Sequence, residues 1–175
     1  MIQERHIVRG ILAGLAGGLV AAWVMNEFMT GPGPKLQQAV QSLEANERDA
    51  IQSEDPKEDA TMKTADAVVS TVTGGQHLSW AQREKAGPAV HYAFGAFMGA
   101  IYGGLAELWP GVRSGFGTTF GSILFTGADL VAVPALKVGP SPIDQPIRAQ
   151  VSPWAAHLIY GITPELVRRA TRAVL

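Results

Sequence analysis

The sequence predicts an all-α fold: a four-helix transmembrane bundle with an extramembrane helical segment between its first and second spans. Three observations predict it. First, formal charge is absent from long stretches: 17 residues between Arg9 and Glu27, 21 between Lys85 and Glu107, 15 between Arg113 and Asp129, and 16 between Arg148 and Glu165. A bilayer core needs about 20 mostly apolar residues per helix. Second, charged residues make up only 17% of the 175-residue chain, against about 25% in an ordinary soluble domain. Third, glycines recur at steps of four inside these stretches: Gly10, Gly14 and Gly18; Gly95, Gly99 and Gly103; Gly117 and Gly121. In water each mid-helix glycine costs about 1 kcal/mol against alanine. In lipid, this GxxxG spacing lets helix backbones approach closely.

The spans fall near residues 8–29, 88–109, 113–136 and 153–173, and the whole chain, 1–175, reads as a single integral-membrane domain. Three of the runs reach spanning length only if Glu27, Asp129 or Glu165 sits near a helix end or faces inward. The first span has a basic start at Arg5 and Arg9, like a signal peptide. Val20-Ala21-Ala22-Trp23 is a poor cleavage site, however, so the span is expected to be retained. Gly31-Pro32-Gly33-Pro34 then breaks the helix. Within 30–87, Leu36, Val40, Leu43, Glu47 and Ile51 share one helical face. A second helix after Pro56 aligns Met62, Ala65, Val69 and Val72 and stops at Gly74-Gly75. Ser79 with Gln82 forms a capping box for a short helix leading to Pro88. Pro134 and Pro164 are expected to kink the third and fourth spans. The loop around Pro140, Pro142, Pro146 and Pro153 reads as irregular.

Four spans put both termini on one side. Arg5, Arg9, Arg113, Arg168, Arg169 and Arg172 fall on that side, against Lys137 and Arg148 in the short opposite loop. The positive-inside rule then gives N-in and C-in, with 30–87 on the outer side. Trp109 and Trp154 suit the interfacial belts. A formal net charge of −1 argues against a nucleic-acid partner. The absence of cysteine excludes disulfides, thiolate zinc sites, iron–sulfur clusters and a cysteine nucleophile. No serine–histidine–acid motif or phosphate-cradling loop marks an enzyme.

Ionisable residues inside spans are the candidate site, because centrally placed charges cost about 2.5–3.5 kcal/mol and usually face the bundle interior. Glu27, His91, Asp129 and His157 all fall in the outer half. Three chemistries remain open for them: a proton-responsive or small-ligand network, a divalent metal held by nitrogen and oxygen, or haem b ligated by the two histidines. The structural alternative is polar pairing that sets helix register. At the inner end, Glu107 and Glu165 lie near Arg113, Arg168 and Arg169 and read as interfacial ion pairs with snorkelling arginines.

The stretch Val90-His91-Tyr92-Ala93-Phe94-Gly95, with Tyr102-Gly103, Ala106-Glu107 and Pro110, resembles the second span of the YagU-like bacterial inner-membrane proteins. Ala132-Val133-Pro134 and Val138-Gly139-Pro140-Ser141-Pro142 resemble the third. Ala156-His157-Leu158 through Glu165-Leu166-Val167-Arg168-Arg169 is similar to the last. The resemblance covers about 88–172 and the glycine-rich first span. It implies a multi-span protein of the bacterial inner membrane from a domain family of unknown function, one member of which is linked to acid resistance. It implies no activity, cofactor or site residue. The expected function is therefore non-enzymatic, related to acid or envelope stress, with a proton-responsive or ligand-binding His/carboxylate cluster. The alternatives are a haem- or metal-binding subunit of a larger redox complex, or a structural or assembly subunit. The lipid bilayer is the expected partner, with a homo-oligomer or larger membrane complex possible.

Overall fold

Two long helices, α1 (Ile2–Thr30) and α4 (Trp80–Leu108), run antiparallel with their backbones in contact. Gly10 faces Gly103, Gly14 faces Gly99, and Gly18 faces Gly95. There is no room for a side chain in this seam. A methyl group on Gly14 would collide with the carbonyl oxygen of Gly99 and lie 2.9 Å from the Cα of Gly103. The structure, a computed structural model, describes residues 2–42, 58–139, 141 and 145–174. The described residues contain helices and no strand. The expected helical positions Leu43, Glu47 and Ile51, the boundary at Pro56, and Pro140 and Pro142 lie outside them.

A second small-residue seam joins α5 (Thr118–Phe125) to α7 (Val151–Val174). Gly121 lies against the carbonyl of His157, and Gly117 and Gly161 lie against each other's backbone. Helix α7 also packs on α1, where a methyl on Gly17 would sit 3.0 Å from the Cα of Pro164. Between these seams lies a core of Ala21, Tyr102, Ala106, Phe120, Leu124 and Tyr160. The Tyr102 and Phe120 rings are 4.9 Å apart. On the outside, Val8, Leu12, Leu15, Leu19 and Trp23 of α1 and Phe94, Phe97, Leu105 and Leu108 of α4 are exposed. An apolar exterior of this extent marks a surface covered by something other than water.

Among the described residues, three helical stretches are long and apolar enough to cross a membrane: His6–Thr30, Trp80–Leu108 and Pro110–Ala135. Helix α7, the expected fourth span, is not among them. Its 24 residues suffice in length, but Glu165, Arg168 and Arg169 crowd its second half. The second and third spans also differ in detail from their expected form. A short helix before Pro88 was expected; instead one helix passes through Pro88 without a break. Proline removes one helical donor, and here both Pro88 and the i−4 residue Glu84 are exposed, so the loss falls at the surface.

The third span was expected to run as one helix from 113 with a kink at Pro134. Residues Pro110–Gly117 instead form a tight 3₁₀-type connection whose backbone turns non-helical at Ser114, Gly115 and Phe116. Gly115, Phe116 and Gly117 have φ of 59°, 59° and 89°, a region that costs a side-chain-bearing residue about 1–2 kcal/mol. After α5 the chain widens into a π-helical stretch, Thr126–Ala132, followed by α6 (Val133–Ala135). The Val133 N–H donates to the carbonyl of Ala128, five residues back. Pro134, next in line, has no N–H to give the ordinary i−4 carbonyl, and the ladder shifts register here.

Helices α2 (Pro32–Ser42) and α3 (Ala60–Thr73) come from the segment expected to be extramembrane. Helix α2 folds over the start of α7, where Gln37 Nε2 donates to the Arg148 carbonyl at 3.0 Å. In α3, Asp59 caps the N-terminus by accepting from the Met62 N–H at 2.8 Å. Gly74, at φ 72°, ends the helix, and the capping box of Ser79 and Gln82 starts α4. Met62 and Ala65 are the buried face of α3, with Met62 resting on Gly87 of α4. Asp66 fastens the same pair of helices. It accepts from the Leu78 N–H at 2.6 Å and from His77 Nδ1 at 2.8 Å, and lies 3.1 Å from Arg83 Nη2. Arg83 also pairs with Glu58. The His77 hydrogen bond leads in holding the Asp66 carboxyl below its ordinary range, burial opposes it, and Leu78 and Arg83 assist.

Two outcomes follow from this packing. Gly14→Ala will lower stability by about 1–3 kcal/mol through overpacking, read as an earlier unfolding midpoint in denaturing mixed micelles. Gly127→Ala, where a methyl meets open space, will not lower it. For Asp66, a depressed folded-state value means that its contacts stabilise above the ordinary carboxylate range and are lost as pH falls through the lowered value. The hydrogen-exchange protection factor of the Leu78 amide will hold from neutral pH down through that ordinary range and collapse only below it. In Asp66→Asn it will be low throughout.

Candidate functional site

Two polar groupings lie among the apolar helices, at opposite ends of the bundle. Near the start of α1, the carboxylate of Glu165 is fully buried and accepts four hydrogen bonds. Tyr102 Oη donates to Oε2 at 2.9 Å. Arg168 donates Nε to Oε2 and Nη2 to Oε1, each at 2.8 Å. Arg169 Nε donates to Oε1 at 2.8 Å. The Arg168 fork is the bidentate geometry that a planar guanidinium offers a carboxylate. Arg168, itself 3% exposed, also lies 3.8 Å from Glu107 Oε1.

Local sequence builds this network. Glu165, Arg168 and Arg169 stand at i, i+3 and i+4, which places all three on one helical face. Tyr102 reaches them from α4 across the core, one face away from the glycine seam. Arg169 turns outward at its tip and covers the Phe116 ring, 4.2 Å from its centroid. That contact sits on the residue whose backbone is in the left-handed region, so the connection 110–117 is clamped by the same network. Arg113 lies half-buried in that connection.

At the other end, where α1 finishes, the four outer-half candidates do not all meet. Asp129 and His157 do: Oδ2 is 3.6 Å from Nδ1. His157 is 7% exposed in its side chain and Asp129 35%, so the imidazole is interior and the carboxylate is at the rim. His157 Nδ1–H donates to the Pro153 carbonyl at 2.9 Å, and the ring packs against Phe125, 5.5 Å between centroids. Trp154 Nε1 donates to Ser122 Oγ at 3.2 Å on the same α5–α7 face. His91 instead donates Nε2–H to the Ala22 carbonyl of α1 at 3.2 Å. One turn further on, Tyr160 Oη donates to the Gly95 carbonyl. Glu27 is exposed on α1. Among the described residues, no three His, Asp or Glu side chains gather as a metal site would require.

Spacing located Glu107, Glu165, Arg168 and Arg169 at one end and the histidines at the other. It did not reveal Tyr102 as a donor to Glu165, or Phe116 as the partner of Arg169. The i, i+3, i+4 pattern at 165–169 was the available signal for a compact network; nothing along the chain signals Tyr102.

Burial decides what substitutions here will do. Glu165→Ala strands the Arg168 guanidinium in the interior, and removing one partner of such a pair costs about 3–5 kcal/mol. Tyr102→Phe removes one hydrogen bond and will cost about 1 kcal/mol. Thermal or denaturant unfolding of the purified chain in detergent will rank Glu165→Ala well below Tyr102→Phe; equal midpoints would contradict the network.

A family described as "Protein of unknown function (DUF1440)" matches residues 64–166. The match runs from Thr64 in α3 to Leu166 in α7 and takes in His91, Asp129, His157 and Glu165. No curated protein and no solved structure matches the chain.

Proposed function

The chain belongs to this family of proteins of unknown function, and from that premise we propose a non-enzymatic, four-span protein of the bacterial inner membrane in which the Asp129–His157 pair responds to protons. Three apolar helices of spanning length support a membrane protein. Helix α7 is the proposed fourth span because it packs along both α1 and α5 through glycine contacts. Its charges do not forbid this. Glu165 is neutralised internally by Arg168 and Arg169, and Arg169 is more than half exposed at the helix end, where a long side chain reaches the interface. The resemblance of the spans to bacterial inner-membrane proteins and the arginine balance support the N-in, C-in orientation with α2 and α3 outside.

The observation that carries the proton reading is the 3.6 Å approach of Asp129 to a buried histidine. The Pro153 carbonyl favours the Nδ1–H tautomer by accepting its hydrogen bond, leaving Nε2 as the position open to a further proton. The imidazolium so formed faces Asp129. Phe125, packed on the ring, keeps water away from one side of it. Asp129 belongs to the π-helical stretch, a backbone form that concentrates at functional sites, and Gly127, two residues before it, is exposed, with open space where a side chain would stand. A change of charge at His157 is therefore felt by a segment with room to adjust. A role in acid or envelope stress is the physiological form of this proposal.

The cysteine-free chain allows a direct test. A spin label on Gly127→Cys in lipid vesicles will change mobility between neutral and acidic pH. The change will vanish in His157→Gln and in Asp129→Asn. An unchanged line shape in the parent, or a change that persists in His157→Gln, would refute the reading.

A further inference from the structure

Where α1 begins and α7 ends, the fold leaves a cavity of about 680 Å³. Its character changes along its length. His6 and Arg9 line the end nearest the chain terminus, both exposed. Arg168 and Glu107 form its buried side. Ala13 and Ala16 line it toward the middle of α1. Residues 6, 9, 13 and 16 share one face of α1 by helical spacing. One groove thus carries two basic side chains at its mouth and a smooth apolar track running from them into the zone of exposed apolar helix faces.

The charges in the groove are not equivalent. Arg168 and Arg169 are both committed to Glu165 and Arg168 lies beside Glu107, so these two arginines and two carboxylates balance in formal charge. Arg9 has no ion pair among the described residues. Its guanidinium, with His6 one turn away, is the charge left for a ligand. An anion alone would satisfy Arg9 but leave the track at Ala13 and Ala16 uncovered. An uncharged acyl chain would do the reverse. We propose that the cavity holds an anionic phospholipid, with its phosphate on Arg9 and His6 and one acyl chain along Ala13 and Ala16. Guanidinium groups match phosphate geometry, and basic pockets between helices at the cytoplasmic face take anionic headgroups. This assignment rests on the membrane-spanning reading above and is independent of the Asp129–His157 pair.

The test uses the full chain, purified in mild detergent, stripped of lipid and offered phosphatidylglycerol, phosphatidylcholine or inorganic phosphate. Native mass spectrometry reads the bound adducts. Phosphatidylglycerol will be retained and phosphatidylcholine lost. Arg9→Gln will lower phosphatidylglycerol occupancy about tenfold, the loss of one charge-assisted contact. Ala13→Phe, which fills the track and leaves Arg9 in place, will lower it as well, while an unchanged helical circular-dichroism spectrum shows that both variants fold. Equal retention of the two lipids, or undiminished binding in both variants, would overturn the proposal. Phosphate binding at Arg9 with no lipid retained would overturn it too. Carbonate washing of the source membranes tests the spanning reading separately, so a lost adduct with a chain that stays in the membrane refutes this site alone.

Discussion

Backbone contact between α1 and α4 is the constraint on which the other features depend. Six glycines bring backbone against backbone along the seam, so the two helices lie closer than larger residues at those positions would permit. Contact this close gains dispersion energy from atoms that a bulkier pair would hold apart. It is also the kind of association that does not require water to drive it. Because the large apolar residues of both helices are turned away from the seam, they face outward instead. The same choice that brings the backbones together therefore makes the exterior apolar. Small inside and large outside is the reverse of a water-soluble helix pair.

The seam also determines where polar groups can sit. With α1 and α4 in register, Glu107 and Tyr102 arrive beside the second half of α7, and Glu165 finds Tyr102, Arg168 and Arg169 at once. A carboxylate excluded from solvent is tolerable only with its lone pairs filled, and here four donors fill them. At the opposite end the α5–α7 seam is as tight, yet the chain beyond it relaxes into π-helical geometry around Asp129. One end of the bundle is locked by a saturated network. The other holds a looser pair, Asp129 and His157, 3.6 Å apart, with the carboxylate at the rim. That contrast is why the proton reading is placed at the looser end and not at Glu165.

Much of this was legible along the chain, and the parts that were not share one cause. The uncharged runs marked the three apolar helices. The Gly74-Gly75 stop and the Ser79–Gln82 capping box are local signals, and local hydrogen bonds realise them. The positions of Glu27, His91, Asp129 and His157 along their helices are read directly from the chain. Their mutual contact is not, because it depends on how each helix is rotated about its own axis. That rotation sends His91 to the Ala22 carbonyl and brings Asp129 to His157. Glu107, Glu165, Arg168 and Arg169 are grouped by spacing, which reads as interfacial ion pairs with snorkelling arginines. Burial of Glu165 depends on α4 lying across it, a relation between residues 63 positions apart. Pro88 and Pro134 show the same limit at the backbone level. Each removes one donor, but whether the helix breaks, continues or changes register depends on what surrounds the freed carbonyl.

The proposed topology has four antiparallel helices crossing a bilayer, with α7 among them. Single cysteines placed at Ser79, Ser114 and Gln145 of the otherwise cysteine-free chain and exposed to a membrane-impermeant thiol reagent in sealed, oriented vesicles test it most directly. The account predicts that 79 and 145 react from the outer face, and that 114 reacts only from the inner face or after the vesicles are opened. Reaction of all three from one face would contradict it.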